Sequence, residues 1–185
     1  MGCGPKRRAG FSVDIPYLGK QIQRFIILTL CLATVFIVGC SDSTENLNSV
    51  FGGSAALEIL QNATSVNAFR LATSGEYHAR ISDYEFTAGP VVVPADSIVT
   101  LRSTLLDASS YEWDSVKGCI PNYGVRIQFK SGLDEVDVLF CFECDILAVY
   151  YNGVMAGGED FDNARGTFLS VVKELFPDDI AIQQL

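Results

Sequence analysis

The sequence predicts an α+β domain: an antiparallel sheet of about four to five strands packed against two or three helices on one face. Three observations lead there. Apolar residues alternate from Tyr123 to Phe129, and again at every even position from Val136 to Tyr150; a period of two with one apolar face marks half-buried strands. Asn152-Gly153 follows at once, a strong hairpin signal because a tight I′ turn needs positive φ at both central residues. Apolar residues then recur at helical spacing on either side, at Ile98, Leu101, Leu105 and Leu106, and at Phe161, Ala164, Phe168, Val171, Val172 and Leu175. Such stripes must be buried against another element, and a sheet is the partner at hand.

Ahead of that domain lies a segment of different composition. Residues 1–24 carry Lys6, Arg7, Arg8, Lys20 and Arg24 against a single acid, Asp14, and an uncharged run from Phe25 to Val38 precedes Gly39-Cys40. A basic start, an apolar stretch of about 7–15 residues and a small residue at the exit describe a secretory signal peptide. The run is too short to span a bilayer, which takes roughly 20 residues. Ile37-Val38-Gly39-Cys40 resembles a bacterial lipobox, whose cysteine receives a diacylglycerol and becomes the first residue of the exported protein. The expected organisation is a signal peptide over 1–39, a lipidated tether over 40–48 and one globular domain over 49–185. The address it implies is the cell envelope, with Cys40 anchored in a membrane and the domain facing the periplasm or exterior.

Five of the 13 basic residues and one of the 22 acids fall in 1–39, so the remainder holds 8 against 21, a net charge near −13. Such a surface argues against nucleic acid as a partner.

Taken in order, the elements begin with a helix over about Leu47–Gln61, striped by Val50, Phe51, Leu57 and Leu60 and weakened near its start by Gly52-Gly53. Ser65 to Thr73 alternates as a first strand. Tyr84 to Val93 is β-rich but holds Pro90 and ends at Pro94, which suits an edge strand or an extended loop. A helix capped by Asp96 or Ser97 then runs to about Asp107.

The Tyr123–Lys130 strand turns at Ser131-Gly132 into the long alternating stretch. Matching apolar faces requires paired residue numbers with an odd sum. A two-residue loop at Ser131-Gly132 pairs Ile127 with Val136 and places Cys119 opposite Cys144; a four-residue loop leaves those cysteines diagonal. Sixteen residues from Val136 to Tyr151 exceed the usual strand of about 5–6, so a break is expected near Glu143–Asp145. The Asn152-Gly153 turn leads through Val154–Ala156 to a Gly157-Gly158 loop. Asp160 or Asp162 then caps a last helix that Pro177 stops, and Ile180 and Ile182 are placed to pack back on the core.

Candidate chemistry centres on Cys119, Cys141 and Cys144. Export permits a disulfide, and three cysteines leave one unpaired. Cys141 and Cys144 point to opposite sides of a straight strand, so the CxxC pair cannot close there. Cys119–Cys144 is the expected bridge. A redox CxxC is the first alternative, although strand-like flanks with Glu143 and Asp145 raise a thiol pKa instead of lowering it. The second is a zinc centre of Cys119, Cys141, Cys144 and His78, the single histidine. Glu159, Asp160, Asp162 and Asn163 offer oxygens to calcium, but they stand where helix-capping acids belong. No nucleophile elbow, phosphate-binding loop or metalloprotease motif occurs, and one histidine leaves little for a nucleophile–base pair.

The pattern Cys119-x-Pro121-x-Tyr123-Gly124-Val125-Arg126, then VDVLFCFECDILAVY, GGEDFD and LFPDD, resembles a group of small bacterial exported proteins of unknown function. The resemblance implies a compact exported domain and transfers no activity. The sequence thus reads as a non-enzymatic interaction or structural module that offers a sheet edge or its acidic face to a protein partner, without a cofactor. The alternative is a metal-binding or thiol-redox protein built on the three cysteines.

Overall fold

The alternating segments at 125–151 become the middle of a six-stranded antiparallel sheet with strand order β2-β1-β3-β4-β5-β6. The strands are β1 (Ser65–Leu71), β2 (Phe86–Val92), β3 (Val125–Ser131), β4 (Asp134–Cys141), β5 (Ile146–Tyr151) and β6 (Val154–Asp160). In this computed structural model the described residues are 41–73, 75 and 77–185. The expected signal peptide over 1–39, the lipobox-like run and Cys40 lie outside them. Five α-helices occur among the described residues: α1 (Ser41–Phe51), α2 (Ser54–Asn62), α3 (Ala95–Leu105), α4 (Arg165–Leu175) and α5 (Ile180–Gln183).

One face of the sheet receives the helices. Val50, Phe51, Leu60, Leu101, Leu105, Phe168 and Val172 cluster with Val125, Ile127, Phe129, Val136, Val138, Phe140, Leu147 and Val149, all of them buried. The other face is covered too. The chain between β1 and β2 leaves one edge of the sheet and crosses to the far edge, where Ile81 N donates to Gly153 O (3.0 Å) and Met155 N to Ala79 O (3.1 Å). It then returns to β2. Beneath this strap a second cluster forms from Leu71, Ile81, Tyr84, Tyr123, Leu139, Cys141, Ala148 and Tyr150.

Several expectations need correction. The strand count is six, because both doubtful segments are strands: β2 despite Pro90, and β6 straight through Gly157-Gly158, which pair with Val149 and Ala148. The β3–β4 register sets Phe129 against Val136, Ile127 against Val138 and Val125 against Phe140. The turn is therefore Gly132-Leu133, with Gly132 at φ 64°; the pairing is that of the four-residue-loop alternative, two residues out from the one that sets Ile127 against Val136. An even shift keeps every side chain on its face.

The long stretch breaks at 142–145, with Asp145 at φ 54°, but it does more than bend. β5 reverses onto β4, pairing Val138 with Val149 and Cys141 with Ile146. After the turn the helix-facing positions are odd, Leu147 and Val149, whereas even-numbered Ala148 and Tyr150 lie under the strap. The unbroken even-position pattern thus spans two strands with opposite phase.

Residues 41–48, expected as a tether, form the first part of α1. Leu47, Val50 and Phe51 lie at helical spacing and pack on the core. Gly52 at φ 73° and Gly53 at φ 127° split the expected 47–61 helix in two. A β-carbon on Gly52 would stand 2.6 Å from Ala156 Cβ, and one on Gly157 would collide with the carbonyls of Ser49 and Val50. Glycine is needed here because α1 meets β6 backbone to backbone.

Asp160 and Asp162 do not cap α4, which starts at Arg165 without a side-chain cap. At the C-terminus Ile182 is buried, but Ile180 is 73 % exposed. Asp179 holds this end: it accepts from Ile182 N at 3.1 Å and from Arg70 Nε at 2.6 Å.

Candidate functional site

The three cysteines meet at one end of the sheet, where the loop after α3 reaches the β4–β5 turn. Cys119 on that loop and Cys144 in the turn form a disulfide with Cα atoms 6.4 Å apart. Cys119 lies outside β3, so strand register does not place it; the irregular 111–124 loop does. Lys117 fastens the same loop, since its Nζ donates to Cys144 O at 2.7 Å and pairs with Asp162 Oδ2. Asp160 approaches Lys117 only at 3.9 Å, and its buried Oδ2 has no hydrogen bond. Burial raises the Asp160 pKa, and Lys117 works against that rise. Arg165 Nε and Asp145 Oδ1 pair at 2.9 Å beside them.

Cys141 is a free, buried thiol. It ends β4 on the strap side, and its sulfur accepts from Asn122 N at 3.2 Å. His78 lies on the strap, its ring edge-on to Tyr84 at 4.6 Å, and its carbonyl accepts from Tyr150 Oη at 2.5 Å. Two of the three sulfurs are thus bonded to each other. Among the described residues no group of three or more His, Cys, Asp or Glu side chains is placed to hold a metal ion. Three of the four candidate calcium ligands have other partners: Glu159 Oε1 accepts from Asp160 N at 3.0 Å, Asp162 pairs with Lys117, and Asn163 Nδ2 donates to Tyr111 O at 3.1 Å. Glu143 and Asp145 sit in the turn and not on a strand face.

The strap encloses a tyrosine cluster. The hydroxyls of Tyr84 and Tyr150 are 3.1 Å apart, and the Tyr84 ring meets those of Tyr123 and Tyr150 edge-on. Burial pushes the Tyr123 and Tyr150 hydroxyls above the usual phenol range. Both hydroxyls are neutral at ordinary pH, and that of Tyr150 donates to the His78 carbonyl.

A second charged arrangement was not legible in the sequence. Arg126 and Asp137 lie on adjacent strands beneath the same covered face; the side-chain accessibilities are 8 % and 0 %. Both read as outward polar positions of alternating strands. Only a signal that 72–85 crosses the sheet would have marked them as buried.

Surface clefts are open, and their linings range from polar to mostly apolar. One cleft of about 510 Å³ between α3 and α4 is lined by Asp96, Ser97, Thr100, Thr167 and Glu174, of which Ser97 is buried. Among the described residues no helix is long and apolar enough to cross a membrane. No protein-family model, curated protein or solved structure matches the chain.

Proposed function

We propose that this chain is a lipid-anchored, extracytoplasmic module that presents a rigid acidic domain to a protein partner and performs no chemistry of its own. The observation that carries the reading is the Cys119–Cys144 bridge. It pins an irregular loop to the β4–β5 turn with a bond that persists outside reducing compartments. The lipobox-like Ile37–Cys40 run and the acidic balance after it point the same way.

The partner surface is the free edge of β2, whose residues are exposed apart from half-buried Val91. An unpaired strand edge is the part of a sheet that another chain can extend.

Metabolic labelling with a clickable fatty acid, compared with Cys40→Ala, tests the anchor: label should vanish in the variant, and label that survives overturns it. Alkylation mapping of the unreduced protein tests the scaffold: Cys119 and Cys144 should stay unmodified until reductant is added. A second reading, thiol exchange, draws on one observation, the packing of free Cys141 in one cluster with Cys144. It requires that Cys141→Ser change the rate at which the bridge is reduced.

A further inference from the structure

Arg126 on β3 reaches toward β4 so that Nε and Nη2 both approach one oxygen, Asp137 Oδ1, at 2.7 Å. The other oxygen, Oδ2, is buried without a hydrogen bond. The guanidinium carbon also stands 4.9 Å from the Phe69 ring centre and 5.1 Å from that of Phe86. Those rings lie 5.4 Å apart, so a cation engages aromatic residues from two neighbouring strands. Phe86 opens β2, the edge strand. β2 is otherwise held poorly: its pairing with β1 is interrupted twice, around Arg70, and most of its side chains face solvent.

We propose that Arg126 and Asp137 form a pH-operated latch on the β2 edge, closed while the carboxylate is charged and opened when Oδ2 takes up a proton. With Asp137 ionised, its charge neutralises Arg126 and holds the guanidinium beside the Phe69 and Phe86 rings. Oδ2 can accept a proton without breaking any hydrogen bond, because it makes none. Arg126 then keeps its charge with no counter-ion while only 6 % exposed, and uncompensated buried charge is costly. Its way to water leads past half-exposed Phe86, and taking it releases that ring and with it β2.

The groups facing Asp137 set where this happens. Burial raises its pKa most. Arg126 lowers it by charge and hydrogen bonding, Glu135 on β4 raises it, and Lys130 on β3 lowers it, leaving it at about 6. Gln128, opposite on β3, is neutral and donates to Glu135 at 3.0 Å. Tyr150, opposite on β5, has its hydroxyl committed to Tyr84 and His78. Linkage requires the open state to bind the proton more tightly than the closed one. Departure of Arg126 supplies this, because it removes the strongest influence that lowers the pKa while β3, β5 and the strap still cover the carboxyl.

The test uses the whole protein, with the carboxyl resonance of Asp137 followed by NMR and amide protection factors measured at pH 7.5 and 5. Asp137 should titrate near the middle of that interval. Protection of the β2 amides paired with β1 should fall by up to about thirtyfold between pH 7.5 and 5, most of it above the midpoint near 6, while β3–β5 hold. Asp137→Asn should show the loose β2 edge at both pH values. Phe86→Leu keeps the ion pair but removes the ring, so its β2 should be loose and insensitive to pH. A carboxyl titrating near 4, or β2 protection equal at both pH values in the unsubstituted protein, overturns the latch. Those two measurements decide the matter even if Asp137→Asn does not fold.

Discussion

Removing the Cys119–Cys144 bridge should cost the domain a large share of its stability, and the cost follows from chain geometry. The bridge closes a loop with a sequence separation of 25. In the chain-entropy treatment a loop of that length restricts the unfolded chain by roughly 3.5 kcal/mol at 25 °C. In the folded state the two Cα atoms, 6.4 Å apart, are held by the sheet on one side and by Lys117 on the other. Most of the effect therefore belongs to the unfolded state. For a domain of this size about 2–4 °C is lost per kcal/mol, so the midpoint should fall by roughly 7–14 °C. The perturbation is the double substitution Cys119→Ala/Cys144→Ala, because a single one leaves a thiol free to capture Cys141. Thermal melts followed by circular dichroism, with the variant compared to the oxidised protein, measure the shift. A fall of less than about 2 °C refutes the reasoning: it means that the β3–β4 hairpin inside the loop already confines the unfolded chain as tightly as the bridge does.

Gly157→Ala should destabilise by at least about 1–3 kcal/mol, the usual range for overpacking, because its β-carbon meets backbone carbonyls of α1; Gly166→Ala, where nothing lies within 4 Å, should be neutral or stabilise by roughly 0.5–1 kcal/mol. Denaturant melts of the two variants check the contrast. Tyr150→Phe should cost about 1–3 kcal/mol, since it leaves the His78 carbonyl without its donor; equal melts of variant and parent refute it. Asp137 makes stability depend on pH with a definite sign. Its folded pKa is raised from 3.8 to about 6, so its contribution is complete below pH ~4 and is lost as pH rises through 6. Asp137→Asn removes that dependence, and the stability of the parent relative to this variant should fall between pH 4 and 7. A flat difference across that interval counts against the raised pKa.

Much of the sheet could be read before any coordinates, for local reasons. Val125–Phe129 and Val136–Phe140 alternate because one face of β3 and β4 packs under helices, and the pattern repeats that division residue by residue, whereas Tyr123, just before β3, lies under the strap. Asn152 and Gly153 take φ 49° and 79°, as a tight turn between twisted strands demands. The stripes of α3 and α4 are buried where helical spacing put Leu101, Leu105, Phe168, Val171, Val172 and Leu175, while Phe161 and Ala164 precede α4. What misled was a pattern broken by a turn that inverts its phase. Even positions are apolar from Val136 to Tyr150, but Phe142–Asp145 reverses the chain, and both faces of β5 are buried.

Alternation and spacing follow from side-chain direction within a few residues, so the amino-acid order alone determined β1, β3, β4, α3 and the Asn152-Gly153 turn, whereas α1, the β3–β4 turn and the reversal of β5 onto β4 emerged only in the assembled fold. It also marked the three cysteines as the place to look. Which cysteine stays free, and whether Arg126 and Asp137 meet water, depended on segments far away in the chain. The 111–124 loop brings Cys119 to Cys144, and the strap between β1 and β2 turns an outward polar face into a buried one. Burial sets the cost of a charge, and burial belongs to the assembled molecule and not to any stretch of it.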